Sequence, residues 1–525
     1  MPLISIIDDF HPLGNARLLD RAAQLTPSLR HEIREPIGGF QLKGRYSAEK
    51  EEIVLQQLPH LSLGKGETLC LDFGEHLVGY LTLELSYSGS HPDAPAFLKL
   101  KFAETLKELS ENTQNYDGWL SQSWIQEEYI HADLLPTTLV LPRRYAFRYL
   151  KITMMDTSPK YKLIVKHAEC RTESSANWQK VRPLRSGDPL LDRIHAVSLK
   201  TLANCMQQEF EDGPKRDRRL WLGDLRLQAL TNSISFRAFD LVKRCLYLFG
   251  GSRFPDGRVA ANVFTRPTVE ADDTFMLDYA LLFPVALEEY LEETGDDEAL
   301  KDLYDVAMQQ VEYALHQLEG GLLNARAVQD CFIDWNDALD KHACAAGVLL
   351  YALRYARRLA RRRNDWSQAN WLLNQQDALR RAILAAYWNE EEGCFVSNGQ
   401  ISVASQVWLV LADAAAPEQA RRAMERALHL TGEPKMTTPY LHHYYVMALL
   451  RAGLRAEAEE HLKTYWGSML DAGADTFWEC WDPDDPDRSP YGGHAVNSYC
   501  HAWSCTPAYI IERYLKQAPS DDPEP

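Results

Sequence analysis

The hydrophobic repeat changes period near residue 183, and that switch decides what the chain can fold into. Before it, apolar residues alternate. Leu81, Leu83 and Leu85 are separated by Thr82 and Glu84, and Leu98, Leu100 and Phe102 by Lys99 and Lys101; Leu163 and Val165 continue the pattern. Period two turns successive side chains to opposite faces of a strand, one buried and one wet. Gly64, Gly66, Gly74, Gly79, Gly89, Pro136 and Pro142 punctuate these runs. The pattern predicts an antiparallel β-sandwich over residues 1–182. Residues 111–127 (ENTQNYDGWLSQSWIQE) interrupt it with a polar, aromatic excursion. Tyr116, Trp119, Trp124 and Ile125 in it could cover a second copy in a homodimer, pack on a neighbouring domain, or lie in a surface loop.

After residue 183 the period is 3.6. Asp188-Pro189 reads as an N-cap followed by proline at the first helical position, and Leu191, Ile194, Val197, Leu202 and Cys205 trace one helical stripe. Further helices are predicted over 221–248, 273–294, 297–317, 341–363, 367–387, 402–412, 416–430, 438–452, 454–469 and 497–515. Gly251, Gly295, Gly320-Gly321, Gly432 and Gly453 mark breaks. That makes eleven helices, or twelve if 221–248 is interrupted near Asn232-Ser233. The absence of a fixed-length repeat argues against a solenoid. The count permits a closed toroid and equally an irregular helical domain. At 525 residues the chain exceeds the single-core limit of about 250–300, so a second, helical domain over 183–517 is expected, with 518–525 a flexible tail.

Composition narrows the partners. With 56 Lys+Arg against 74 Asp+Glu, the net charge of −18 disfavours nucleic acid or an anionic membrane. No apolar run reaches the roughly 18 residues of a membrane span. Ile4–Ile7 is too short for a signal sequence and runs into Asp8-Asp9. Ten cysteines, none in a CxxC pair, suggest reduced thiols and a cytoplasmic protein. Neither zinc-type cysteine spacing nor a GxGxxG or P-loop motif is present, so no metal or cofactor is expected.

Two segments concentrate chemistry. EDGPKRDRRLWLGDLR, residues 211–226, packs four acids and five bases around Trp221 just after a Gly-Pro break. It is either a functional loop or a surface ion-pair network. GADTFWECWDPDD, residues 473–485, sets Glu479 between Trp478 and Trp481, and aromatic walls beside a carboxylate suit sugar chemistry. HAVNSYCHAWSCTP adds His494, His501 and Trp503, while Asp272-Asp273 and Asp334-Trp335 are weaker candidates. Glycosidic cleavage needs two carboxyl groups, often distant in sequence, as Asp217 and Glu479 are.

These motifs resemble the bacterial α-L-rhamnosidases of glycoside hydrolase family 78. Asp212-x-Pro214-x-Arg216-Asp217-Arg218-x-x-Trp221-x-Gly223-Asp224 follows the family's acidic signature. Thr476–Asp482 is similar to its later carboxylate motif, and Ser498–Pro507 to its C-terminal His-Ala/Gly-Trp-Ser run. The resemblance implies an (α/α)6 barrel behind the β-sandwich. It implies an exo-acting, inverting hydrolase of terminal α-L-rhamnose on small glycosides. Asp217 matches the general acid and Glu479 the general base; Asp212, Arg216, Trp221, Asp224, Trp335, His501 and, less closely, Asp273 match sugar-pocket positions. The family usually has Glu where this chain has Asp217, so either the loop moves inward or Asp212 or Asp224 supplies the proton. A cation nearby keeps an acid catalyst ionised, so Arg216 and Arg218 should point to other partners or be offset by a nearby carboxylate. The competing readings are another toroid glycosidase acting on glucosides and a non-catalytic sugar-binding protein.

Overall fold

The computed structural model describes residues 12–43, 49–53, 55–432 and 434–516. The expected flexible tail and Ile4–Ile7 lie outside them. One strand, Thr68–Gly89, organises the β-domain. Its first half pairs antiparallel with Tyr145–Asp156 and Gly38–Lys43, its second half with Tyr161–Ser174 and Thr137–Val140. Gly79 sits where the two halves meet, opposite both Tyr145 and Thr172. A Cβ there would lie 2.3 Å from the Arg171 carbonyl oxygen, so the crossing requires glycine. The ten-stranded system wraps a main core, with Phe40, Cys70, Ala103, Leu109 and Tyr149 forming a smaller cluster apart from it. Leu81, Leu83 and Leu85 are buried in the main core while Glu84 faces water, as the alternation predicts.

Twelve helices follow in the described residues, leaving aside the five-residue Ala325–Gln329. Alternate ones form an inner ring. Leu222–Ile234 packs on Leu277–Thr294, which packs on His342–Arg362, then Val403–Leu411, then Pro439–Arg451. Residues 502–510 close the circle back onto Leu222–Ile234. The interruption in 221–248 falls at Ser235–Ala238, where the Asn232 side chain accepts the Ala238 N–H at 2.9 Å.

Two expectations need correction. The helix predicted over 497–515 is confined to its second half, beginning at Pro507. Ahead of it, backbone donors serve other loops: His501 N–H to Phe477 O at 2.9 Å and Ala502 N–H to Asp212 O at 2.7 Å. Residues 12–25 do not belong to the β-domain. Leu13–Gly14 pairs with Ser252–Arg253, and the helix Ala16–Gln24 buries Leu18 and Ala22 in the helical core. The excursion at 111–127 packs on its own helical domain. Tyr116 donates its hydroxyl to Tyr491 O and Trp119 its indole N–H to Pro490 O, both at 2.9 Å. Of the alternatives for this segment, packing on the neighbouring domain is the one these contacts bear out, with Trp119 still 48% exposed.

Candidate active site

A cavity of about 300 Å³ lies where inner helices begin. Asp224 comes from the first turn of Leu222–Ile234, Met276 and Tyr279 from the start of Leu277–Thr294, and Phe332 and Trp335 from the turn before His342–Arg362. The local sequence explains each placement. Leu220–Trp221 is a short strand paired with Asn262–Phe264, and the helix starts immediately after it. At Gly223 a Cβ would come 2.4 Å from the Tyr279 ring, so glycine lets the helix approach that wall. In the turn, Ile333 has φ +59°, which a β-branched residue adopts only under constraint. The Asp278 carboxylate supplies it, accepting the Phe332 and Ile333 N–H groups at 3.0 and 2.9 Å. Asp334 accepts from Thr437 and Thr438 and faces away from the cavity, leaving Phe332 and Trp335 to line it.

Glu479 is buried, and its carboxylate accepts from the Arg216 guanidinium on one oxygen and the Tyr491 hydroxyl on the other. Burial alone would raise its pKa. Arg216, helped by the Tyr491 hydroxyl, outweighs that and holds the carboxyl below the ordinary glutamate value. Asp212 and Asp224 are buried too, and both are pushed well above the usual carboxylate range. Burial is the main cause; like charges, chiefly Asp217 for Asp212 and Glu479 for Asp224, add to it. Burial also pushes the His501 imidazole down to about 4, so it is neutral at pH 7. Carboxyl groups whose surroundings push their pKa values in opposite directions within one cavity suit acid–base chemistry.

Asp217 lines the same cavity. It and Arg218 both sit in the left-handed region, at φ +59° and +53°, forming a tight turn. Arg218 points away, donating to Arg144 O at 2.9 Å. Arg216 stands 3.7 Å from Asp217 while engaged with Glu479, so one guanidinium reaches both carboxyls. Asp212, Arg216, Trp221, Asp224, Trp335 and His501 all line the cavity; Asp273 does not, although its neighbour Thr274 does. Two buried indole nitrogens there, Trp221 Nε1 and Trp335 Nε1, have no hydrogen-bond partner among the described residues, while Asp224 Oδ1 and His501 Nδ1 face each other at 3.5 Å. Polar groups set among aromatic side chains make a wall that suits a sugar.

Sequence reasoning missed Tyr491, Trp119, Leu120, Trp124, Tyr279, Met276, Arg219 and Phe332 as cavity residues. It also set Trp478 and Trp481 beside the carboxylate. They pack edge to face in the core, 4.8 Å apart, and anchor the loop while Trp503 donates to Glu479 O at 2.9 Å. Among the described residues, no group of three or more His, Cys, Asp or Glu could hold a metal ion.

Residues 43–172 match the glycosyl hydrolase family 78 alpha-rhamnosidase N-terminal domain, and residues 179–515 the bacterial alpha-L-rhamnosidase 6 hairpin glycosidase domain. A rhamnosidase from Klebsiella oxytoca, solved with rhamnose bound, is 44% identical with a TM-score of 0.93, over 96% of this chain and 99% of that one. A family 78 rhamnosidase of Bacillus sp. GL1 is 22% identical with a TM-score of 0.73, over 89% of this chain and 49% of that one. The Streptomyces avermitilis α-L-rhamnosidase complexed with L-rhamnose is 18% identical with a TM-score of 0.65, over 93% and 44%. At those identities the last two show a shared fold. No curated protein sequence matches this chain. A β-domain joined to a six-hairpin barrel with an acid-lined cavity defines a glycoside hydrolase. The chain belongs to the bacterial α-L-rhamnosidases of glycoside hydrolase family 78.

Proposed function

We propose that the enzyme removes terminal α-L-rhamnose from small glycosides with inversion at the anomeric carbon. The observation that carries this is the Glu479 carboxylate, held ionised by Arg216 and Tyr491 in the cavity that Asp217 also lines. Glu479 deprotonates the attacking water; Asp217 protonates the departing oxygen. The left-handed turn at Asp217 and Arg218 supports the acid role, because it carries the shorter aspartate to the cavity. Asp212, Arg216, Trp221, Asp224, Trp335 and His501 surround the rhamnose. Ten free thiols support work in a reducing compartment, the cytoplasm.

Glu479→Gln is expected to lower turnover by about 10²–10⁴-fold with the fold intact. Asp217→Asn should do likewise on alkyl or glycosyl rhamnosides and lose less on nitrophenyl rhamnoside, whose leaving group needs little protonation. Near-normal Asp217→Asn turnover on natural glycosides, with Asp224→Asn inactive, would transfer the acid role to Asp224. The aglycone lies against Trp119, Leu120 and Trp124, an apolar wall in which Trp119 is 48% exposed. Trp119→Ala should raise KM for aryl rhamnosides roughly three- to tenfold and leave inhibition by free rhamnose unchanged.

A further inference from the structure

Behind the catalytic loop lies a cluster of charges that the mechanism above does not use. Lys215 is 1% exposed, yet precedes Arg216 in a loop otherwise committed to the cavity. Its ammonium reaches across the domain boundary, 2.7 Å from Glu108 and 3.5 Å from Glu104, both buried carboxylates of the β-domain. Glu104 in turn pairs with the buried His76 at 2.8 Å, and His76 meets Asn204 at 2.7 Å.

The same groups hold the segment that carries His501. Lys215 donates to Asn497 O at 2.7 Å and Arg216 to Val496 O at 3.0 Å. Glu104 accepts the Tyr499 N–H at 2.7 Å, and Glu111 accepts the His494 and Ala495 N–H groups at 3.1 and 2.6 Å. Ser498 O then accepts the Glu479 N–H at 3.0 Å. Two loops distant in sequence, one bearing Arg216 and the other backing Glu479, are thus clamped together against the β-domain. A domain joint alone needs no buried lysine, since apolar packing of equal volume is commonly as stable. We propose that Glu104 and Glu108, acting through Lys215, are positioning residues that hold Arg216 on Glu479 and so govern the rate of hydrolysis. This rests on Glu479 as the general base.

The test is the pair Lys215→Met with Glu108→Gln, which removes both charges of the closest contact and leaves Glu104 on His76. Glu104→Gln serves as a second variant. Measurements are made on the full chain at a temperature where circular dichroism shows it folded. The groups facing Lys215 are Glu104, Glu108, Tyr499 and His494, with Lys101 beyond Glu108; those facing Glu479 are Arg216, Tyr491, His501 and Asp224. With Arg216 less firmly placed, Glu479 protonates more readily, so the acidic limb of kcat/KM moves to higher pH. The expected result is a kcat at least about tenfold lower, as for a small misplacement of catalytic groups, with KM changed less. Full kcat with an unmoved acidic limb, in either folded variant, overturns the proposal. Failure of the underlying assignment is distinguishable, because Glu479→Gln would then stay active whatever these variants do.

Discussion

Glu479 is held on one oxygen by Arg216 and on the other by Tyr491, and the two contacts make different demands on the sequence. Arg216 lies in the acidic signature and was legible from it. Tyr491 lies in RSPYGGHA, a loop with neither periodicity nor a paired motif, and nothing in its spacing marks it. It reaches the site because the Gly118 backbone packs against the loop, a Cβ there falling 1.9 Å from Tyr491 O. Such a contact between residues far apart in sequence is invisible locally. Tyr491→Phe should leave the fold intact and remove one hydrogen bond to the ionised carboxylate. A base whose folded pKa is depressed is active above that pKa and lost below it. Weakening its support therefore moves the acidic limb of kcat/KM upward, by about one pH unit for a hydrogen bond worth about 1.4 kcal/mol. An unmoved limb would show that Arg216 alone sets the charge.

Among the elements, helices were the most legible because their signals are local: Asp188 caps Pro189–Cys205 by accepting the Leu190 and Leu191 N–H groups, as its sequence predicts. The failure at 497–506 has the opposite cause. Apolar residues there, Cys500, Ala502 and Trp503, mimic a helical stripe, but they are buried because a loop threads between the β-domain and the barrel. Gly223 shows a tertiary demand overriding a local preference. Replacing a helical glycine with alanine ordinarily stabilises by about 1 kcal/mol. Here the added methyl meets the Tyr279 ring at 2.4 Å, and overpacking costs about 1–3 kcal/mol. Gly223→Ala should therefore lower Tm and weaken rhamnose binding, because Trp221 and Asp224 flank it; a raised Tm with unchanged binding would mean the ring yields freely.

At the scale of the molecule, the two domains share buried charges as well as surface. Arg144 of the β-domain donates to both oxygens of Glu211, at 2.8 and 2.6 Å, with both side chains buried. The N-terminal helix Ala16–Gln24 crosses in the other direction to join the helical core. The period change located the two textures, but neither crossing was legible, since a pair such as Arg144 and Glu211 is specified by the assembled interface alone. Breaking such a pair costs about 3–5 kcal/mol. Calorimetry on Arg144→Met should therefore show a large fall in Tm, and the wild-type chain should unfold in one transition; two separate transitions would indicate independent domains. The joint also delivers Trp119 and Trp124 to the cavity wall, so the β-domain completes the site that the barrel begins. The roles proposed for that completed site are an ionised Glu479 that activates water and an Asp217 that serves the leaving group from the other face of the sugar. Proton NMR of the first sugar released from an α-L-rhamnoside tests this most directly. The account predicts β-rhamnose at the earliest time points, followed by slow mutarotation; α-rhamnose appearing first would contradict it.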